Sequence, residues 1–204
     1  MNVVFDCAGV LFHWQPLALV SRLLPHRATT PAQARDLVSQ IFQGYGGDWS
    51  EFDRGRLDAP TLAARIARRT DLSVDESRQI IDAVPLELQP SHDMTALLHA
   101  LAARGHVLHY LSNMPAAYAD HLERSFDMFG LFRCGVFSAR VGLVKPEPAI
   151  FDHAARSFGV PPQEMLFIDD VVDNVEAARR AGWQGLWFED APQCRQSLVR
   201  AGLL

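Results

Sequence analysis

The period of the apolar positions divides the chain into three stretches. A short run, Val3-Val4-Phe5, opens it and reads as a buried strand. The next stretch is helical in spacing, with no strand-like alternation until about residue 107. Leu17, Val20, Leu23 and Leu24 predict a helix over Pro16–His26. Thr30-Pro31-Ala32-Gln33 has the form of a capping box with proline at the first helical position. Leu37, Val38, Ile41 and Phe42 continue that helix to a break at Gly44-Tyr45-Gly46-Gly47. Asp58 is placed to cap a third helix with Leu62, Ala63 and Ile66 turned inward. Ser73-Val74-Asp75-Glu76 forms a second capping box ahead of Ile80, Ile81 and Val84, and Pro85 and Pro90 then break the pattern.

From Ser91 onward helix and strand alternate. Met94, Leu97, Leu98, Leu101 and Ala102 make one helical stripe, closed by Gly105. Val107 to Leu111 is a strand ending in Ser112-Asn113, and Pro115 opens the next helix. Val136-Phe137 is a short strand. Lys145-Pro146-Glu147-Pro148 leads into a helix bearing Ile150, Phe151, Ala154 and Phe158, which Gly159 stops. Met165 to Ile168 is a strand ending in Asp169-Asp170. The helix after it carries Asp173 and Glu176 early and Arg179-Arg180 late, matching the helix dipole. Gly185 to Phe188 is the last clear strand. Strands separated by helices of this length predict an α/β fold with a three-layer parallel sheet. The boundaries that follow are a core of residues 1–13 and 88–204 and a helical cap of residues 14–87 inserted after the first strand.

Composition narrows the class without naming a function. The chain has 204 residues, 49% of them hydrophobic and 21% charged, which suits one globular α/β domain with an insertion. A net charge of −5 with no basic cluster argues against a nucleic-acid partner. No apolar run is long enough to span a bilayer, so no membrane partner is expected. The N-terminus lacks the basic start of a secretory signal. Cys7, Cys134 and Cys194 fit no zinc spacing and predict free thiols in a reducing cytoplasm. Nothing in the pattern speaks to oligomeric state.

The chemistry lies at the strand ends: Asp6, then Ser112-Asn113, then Lys145 on a loop, then Asp169-Asp170. Singly, each has a structural reading as a cap, turn or solvated loop residue. Jointly they fall at one end of the sheet, where parallel α/β folds bind ligands. Three carboxylates converging there repel one another unless a cation intervenes. Hard oxygen donors of this kind suit Mg²⁺, which takes a few carboxylates together with a substrate phosphate. Lys145 adds positive charge to restrain Asp6 and hold a phosphoryl oxygen, and the Ser112 hydroxyl suits another. Asp6 is then free to attack phosphorus.

Four segments resemble the haloacid dehalogenase (HAD) superfamily across essentially the whole chain. They are Phe5-Asp6-Cys7-Ala8-Gly9-Val10-Leu11, Leu111-Ser112-Asn113, Lys145 to Phe151, and Phe167-Ile168-Asp169-Asp170 with Asp173-Asn174. The resemblance implies a Rossmann-like core with the helical cap inserted after the first strand. It also implies a hydrolase that cleaves phosphoric monoesters with Asp6 as nucleophile and Lys145 as its stabilising lysine. Ser112 and Asn113 are then phosphate binders. Asp6, Asp169, Asp170 and the Ala8 carbonyl are the implied magnesium ligands.

The sequence departs from that family at Ala8. HAD phosphatases usually carry a second aspartate two residues after the nucleophile, as general acid and base, and alanine transfers no proton. Three functions compete. One is a Mg²⁺-dependent phosphatase for a small metabolite such as a sugar phosphate, whose anomeric oxygen leaves with little protonation. The chain is similar here to the α-D-glucose-1-phosphate phosphatases, which have a small residue at this position and a Glu-Arg-Gly stretch resembling Asp53-Arg54-Gly55. Another is a catalytically weak relative that binds a phosphorylated ligand or a protein. The last is a 2-haloacid dehalogenase, which the acidic pair Asp169-Asp170 disfavours because that chemistry uses no metal. His13 is a candidate replacement acid or, alternatively, a hinge residue bonded to backbone. Trp14, Tyr45, Trp49 and Arg54 are candidates to line the substrate pocket, with Arg54 reaching an anion, or else to pack cap against core. Gly44, Gly46 and Gly47 suggest a mobile loop in the cap.

Overall fold

The computed structural model describes residues 1–204 and places five strands in one parallel sheet. They are β1 (Asn2–Phe5), β2 (Val107–Ser112), β3 (Cys134–Phe137), β4 (Met165–Asp169) and β5 (Gln184–Trp187), in the order β3-β2-β1-β4-β5. β1 is central: Phe5 lies opposite Tyr110 on one side and Ile168 on the other. The chain winds outward from β1 through β2 to β3, then crosses back to β4 on the far side of β1. That reversal opens a crevice at the carboxyl ends of β1 and β4, and Asp6 and Asp169 stand at its floor.

Five helices form the insertion after β1: α1 (Pro16–Leu23), α2 (Pro31–Phe42), α3 (Gly47–Asp53), α4 (Ala59–Arg69) and α5 (Val74–Glu87). The remainder follow in the alternating part: α6 (His92–Ala103), α7 (Ala116–Ser125), α8 (Ser138–Val141), α9 (Pro148–Phe158), α10 (Val172–Arg180) and α11 (Ala191–Arg200). Both capping boxes form as the sequence predicts, at Thr30 with Gln33 and at Ser73 with Glu76. No helix is long and apolar enough to cross a membrane.

Strand periodicity explains the layers. Val3 and Phe5 enter one hydrophobic cluster and Val4 the other; Leu166 and Ile168 likewise oppose Met165 and Phe167. Both sheet faces are covered, so the strands read as continuous apolar runs without alternation. One face is closed by Ile150, Phe151 and Ala154 of α9 with Ala177 and Ala178 of α10. The other belongs to a cluster of 39 buried residues that continues from β1 through α6 into Leu19, Ile41, Trp49, Ile66 and Ile81 of the insertion. The inserted helices therefore share a core with the sheet. Their entry and exit run side by side: the His13 amide donates to the Gln89 carbonyl at 2.9 Å and the Ser91 amide to the Leu11 carbonyl at 2.8 Å.

Four elements differ from the sequence pattern, the four-residue α8 among them, which no apolar stripe announces. The glycine-rich break after Phe42 reopens at once as α3, because Trp49, Phe52 and Asp53 bury on one face. α11 forms on the strength of an Asp190 cap and two buried positions, Cys194 and Leu198, a stripe too sparse to read beforehand. α5 runs through Pro85 to Glu87. A proline there removes the amide that would bond the Ile81 carbonyl. The Tyr118 hydroxyl of α7 takes its place, donating to that oxygen at 2.6 Å. Tyr118→Phe should therefore leave a buried carbonyl unpaired and cost about 1–3 kcal/mol. In a Pro85→Ala background the restored amide supplies the bond, and the cost of Tyr118→Phe should shrink. Equal costs in the two backgrounds, measured by urea denaturation, would sink this account.

Candidate active site

Asp6 follows β1 directly, and its amide donates to the Ile168 carbonyl at 2.9 Å, extending the ladder by one residue. Its Oδ1 accepts from the Cys7 amide at 2.7 Å and lies 2.9 Å from Lys145 Nζ. Both contacts engage the same oxygen, neither uses Oδ2, and Asp6 lines the crevice. Lys145 is itself buried, donates to Asp169 Oδ2 at 2.6 Å, and sits 5.2 Å from the centre of the Phe167 ring. Burial acts to lower the Lys145 pKa, but Asp169 and Asp6 outweigh it and hold the ammonium charged.

The carboxylates remain unbalanced. Burial, with Asp169 and Asp170 nearby, pushes Asp6 up to about 7. Desolvation and the charge of Asp169 push Asp170 up to about 6. Carboxylate oxygens of Asp6, Asp169 and Asp170 lie within 4.8 Å of one another, and the three could hold a metal ion. The tight turn after β1 places backbone against them. Gly9 has a φ of +87°, and a side chain there would run into the Asp170 carboxyl. The carbonyl of Ala8, in the same turn, accepts no hydrogen bond from the chain. Hard oxygen donors with excess negative charge suit a divalent cation.

The expected site residues converge, but several are engaged differently from their assigned roles. Asp169 is saturated: beyond Lys145, its oxygens accept from the Val171 amide at 2.8 Å and from Asn174 Nδ2 at 3.1 Å. It contacts Lys145 and also offers an oxygen to the acidic triad that could hold a metal, while Asp6 and Asp170 line the opening. Asn113 also lines it, yet its side chain brackets the Lys145 backbone, accepting from the amide at 2.8 Å and donating to the carbonyl at 3.0 Å. Ser112 keeps a buried hydroxyl with no partner, free for a ligand oxygen. Arg54 does not line the cavity: Nη1 donates to Glu147 at 2.9 Å and to the Gly142 carbonyl at 3.2 Å. His13 is exposed and stands outside the cavity, joined to Gln89 through its backbone.

The cavity itself has a volume of about 240 Å³. Asp6, Ser112, Lys145 and Asp170 form its floor, and the inserted helices its roof. Trp14, Tyr45 and Trp49 line that roof, with Trp14 Nε1 donating to the Tyr45 hydroxyl at 2.6 Å. Beside them lies a residue that no motif assigned a role, Asp53 at the end of α3, with only 4% of its surface exposed. Two sequence signals bore on it: its place in the Asp53-Arg54-Gly55 stretch, and an acid adjoining the apolar face of Trp49 and Phe52.

A parallel sheet with a helical insertion after its first strand, and an aspartate, a lysine and an acidic pair at its carboxyl edge, defines a hydrolase class. The chain belongs to the haloacid dehalogenase-like hydrolases, whose family model matches residues 1–182. It is 28% identical over 189 residues to the sesquiterpene phosphatase astK of Aspergillus oryzae, covering 92% of this chain and 89% of that protein. It is 28% identical over 156 residues to the flavin mononucleotide hydrolase 1 of Arabidopsis thaliana, covering 76% of this chain and 62% of that protein. Among solved structures, a HAD family enzyme from Bacteroides thetaiotaomicron, in complex with magnesium and inorganic phosphate, superposes with a TM-score of 0.71. That match is 21% identical and covers 92% of this chain and 93% of the other. The protein is thus an enzyme of the HAD hydrolase family with phosphatases among its relatives.

Proposed function

We propose that the protein is a Mg²⁺-dependent phosphatase that cleaves small phosphate monoesters, sugar phosphates among them, through an aspartyl-phosphate on Asp6. The observation that carries this reading is the buried array in which Lys145 bridges Asp6 and Asp169 while the second oxygen of Asp6 is left free. Mg²⁺ held by the carboxylates of Asp6 and Asp170 and the Ala8 carbonyl would supply charge neutralisation for the phosphoryl oxygens. Asp169 belongs to the same cluster but acts in this reading by holding Lys145. The Ser112 hydroxyl donates to a phosphoryl oxygen, and Lys145 supports the charge that develops between nucleophile and phosphorus. Asp6 Oδ2 forms the bond to phosphorus as the bond to the leaving oxygen breaks. Asn113 fixes the loop that carries Lys145.

In this reading residues 1–13 and 88–204 are the catalytic core and residues 14–87 the cap that closes over it. The free thiols of Cys7, Cys134 and Cys194 support a reducing cytoplasm as its compartment. One observation favours a substrate less polar than a sugar: Trp14, Trp49, Val84, Leu88 and Met114 give the cavity an apolar wall. The names of the relatives that act on sesquiterpene and flavin phosphates support the same preference.

A panel of p-nitrophenyl phosphate, α-D-glucose 1-phosphate, flavin mononucleotide and farnesyl phosphate tests the proposal. Phosphate release with Mg²⁺, lost on EDTA, is the expected result. Absence of metal-dependent release from every ester would overturn it in favour of a binding protein. Chloride release from 2-chloropropionate in EDTA would do so in favour of a dehalogenase.

A further inference from the structure

The position that would hold the second aspartate is Ala8, whose side chain has no proton to give a leaving group. The roof supplies a carboxyl in its place. Asp53 lines the same cavity as Asp6 and Ala8, and its carboxyl makes no hydrogen bond to the chain. An unpartnered buried carboxyl is costly to keep in a structure, which makes its presence there informative.

The backbone around Asp53 is fixed to the core at three consecutive residues. The Asp53 carbonyl accepts from the Ser138 hydroxyl at 2.5 Å, and that hydroxyl accepts in turn from the Met114 amide at 2.8 Å. Arg54 is paired with Glu147 at 2.5 Å and with the Gly142 carbonyl at 3.2 Å. Gly55 adopts a φ of +78° and lies so close to Ala139 that a Cβ would stand 2.8 Å from its carbonyl oxygen. The clamp ties the end of α3 to the start of α8 and to the loop that carries Lys145. It holds a cap carboxyl in the cavity that the nucleophile also lines.

We infer that Asp53 is the proton donor and acceptor of the reaction, replacing from the cap the aspartate that the core lacks. The inference rests on the phosphatase reading above. As Asp6 Oδ2 bonds to phosphorus, the bond from phosphorus to the ester oxygen breaks and its electron pair stays on that oxygen. The Asp53 proton passes to the oxygen, releasing the alcohol and leaving Asp53 as carboxylate. Water then attacks the phosphoryl group, the bond to Asp6 breaks with its electron pair returning to the carboxylate, and the water proton goes to Asp53. Burial and then the charge of Asp6 raise the Asp53 carboxyl well above the usual carboxylate range, which keeps the protonated form available.

The leaving group separates this role from a structural one. p-Nitrophenolate departs without a proton, whereas phenolate and alkoxides need one. For Asp53→Asn, kcat/KM with phenyl phosphate should fall about 10²- to 10⁴-fold. With p-nitrophenyl phosphate it should fall less than about tenfold, because kcat/KM counts only steps through phosphoryl transfer. Asp53→Ser should give the same split and serves if the asparagine variant does not fold. Asp53→Glu, which keeps the acid, should restore part of the phenyl phosphate rate. An equal loss on both esters, or no loss on either, overturns the role of Asp53 while leaving a phosphatase. A wild-type protein that hydrolyses neither these esters nor any other ester of the panel above fails at the earlier step and overturns both readings.

Discussion

Asp6→Asn should abolish turnover while leaving the protein folded. An amide oxygen carries neither the charge nor the lone-pair reactivity to open a phosphate ester, so the covalent route closes. Removing a covalent nucleophile costs on the order of 10⁶-fold in kcat, and a loss of that order is expected here. The fold should tolerate the change, because the asparagine carbonyl can still accept from the Cys7 amide and from Lys145 in place of Oδ1. It also removes a carboxylate that burial already opposes in its ionised form. Steady-state release on any ester that the wild type accepts is the measurement, with thermal melting as the control. A variant that keeps more than about a hundredth of the wild-type rate would exclude Asp6 as nucleophile.

Lys145→Met should produce the largest loss of stability of any single substitution at the site. The ammonium stands 2.9 Å from Asp6 and 2.6 Å from Asp169, with 1% of its side chain exposed. Methionine fills the volume but leaves two buried carboxylates facing each other without a cation. Breaking a buried pair in this way costs about 3–5 kcal/mol. In a chain of this size that corresponds to a fall in Tm of about 6–20 °C. Activity should vanish with it. Adding Asp169→Asn removes one of the orphaned charges, so the double variant should melt above the single one. If Lys145→Met melts with the wild type, the bridge is not the structural centre described here. If the double variant melts lower still, the orphaned charge is not the cause.

Both results depend on residues more than a hundred positions apart in sequence, which marks how far the chain can be read in one dimension. The alternation of strand and helix after Ser91 was legible, because a strand buried on both faces is an apolar run and its helices carry a single stripe. The helical insertion was legible for the same reason, with capping boxes at Thr30 and Ser73 fixing two of its starts. α11 was not, since two buried positions make too weak a stripe. Neither was the continuation of α5 through Pro85, because the bond that permits it comes from Tyr118 on another helix.

The candidate site shows the same division. Asp6, Ser112 and Asp170 could be picked out from their places at strand ends, since topology sends every such end to one edge, and Lys145 from its Lys-Pro-Glu-Pro loop ahead of a helix. Which partner each side chain takes could not. Arg54 looks like an anion binder until Glu147 is seen against it, and Asn113 like a phosphate binder until it is seen to grip Lys145.

The sequence by itself determined the sheet, the insertion and the set of charged groups at the carboxyl edge. Periodicity and capping are local, and they are written in consecutive residues. The tertiary structure alone decided that Asp53 faces the cavity that Asp6 opens into. That placement follows from Ser138, Glu147 and Ala139 gripping one turn of the insertion, and contacts between distant segments leave no period in the chain.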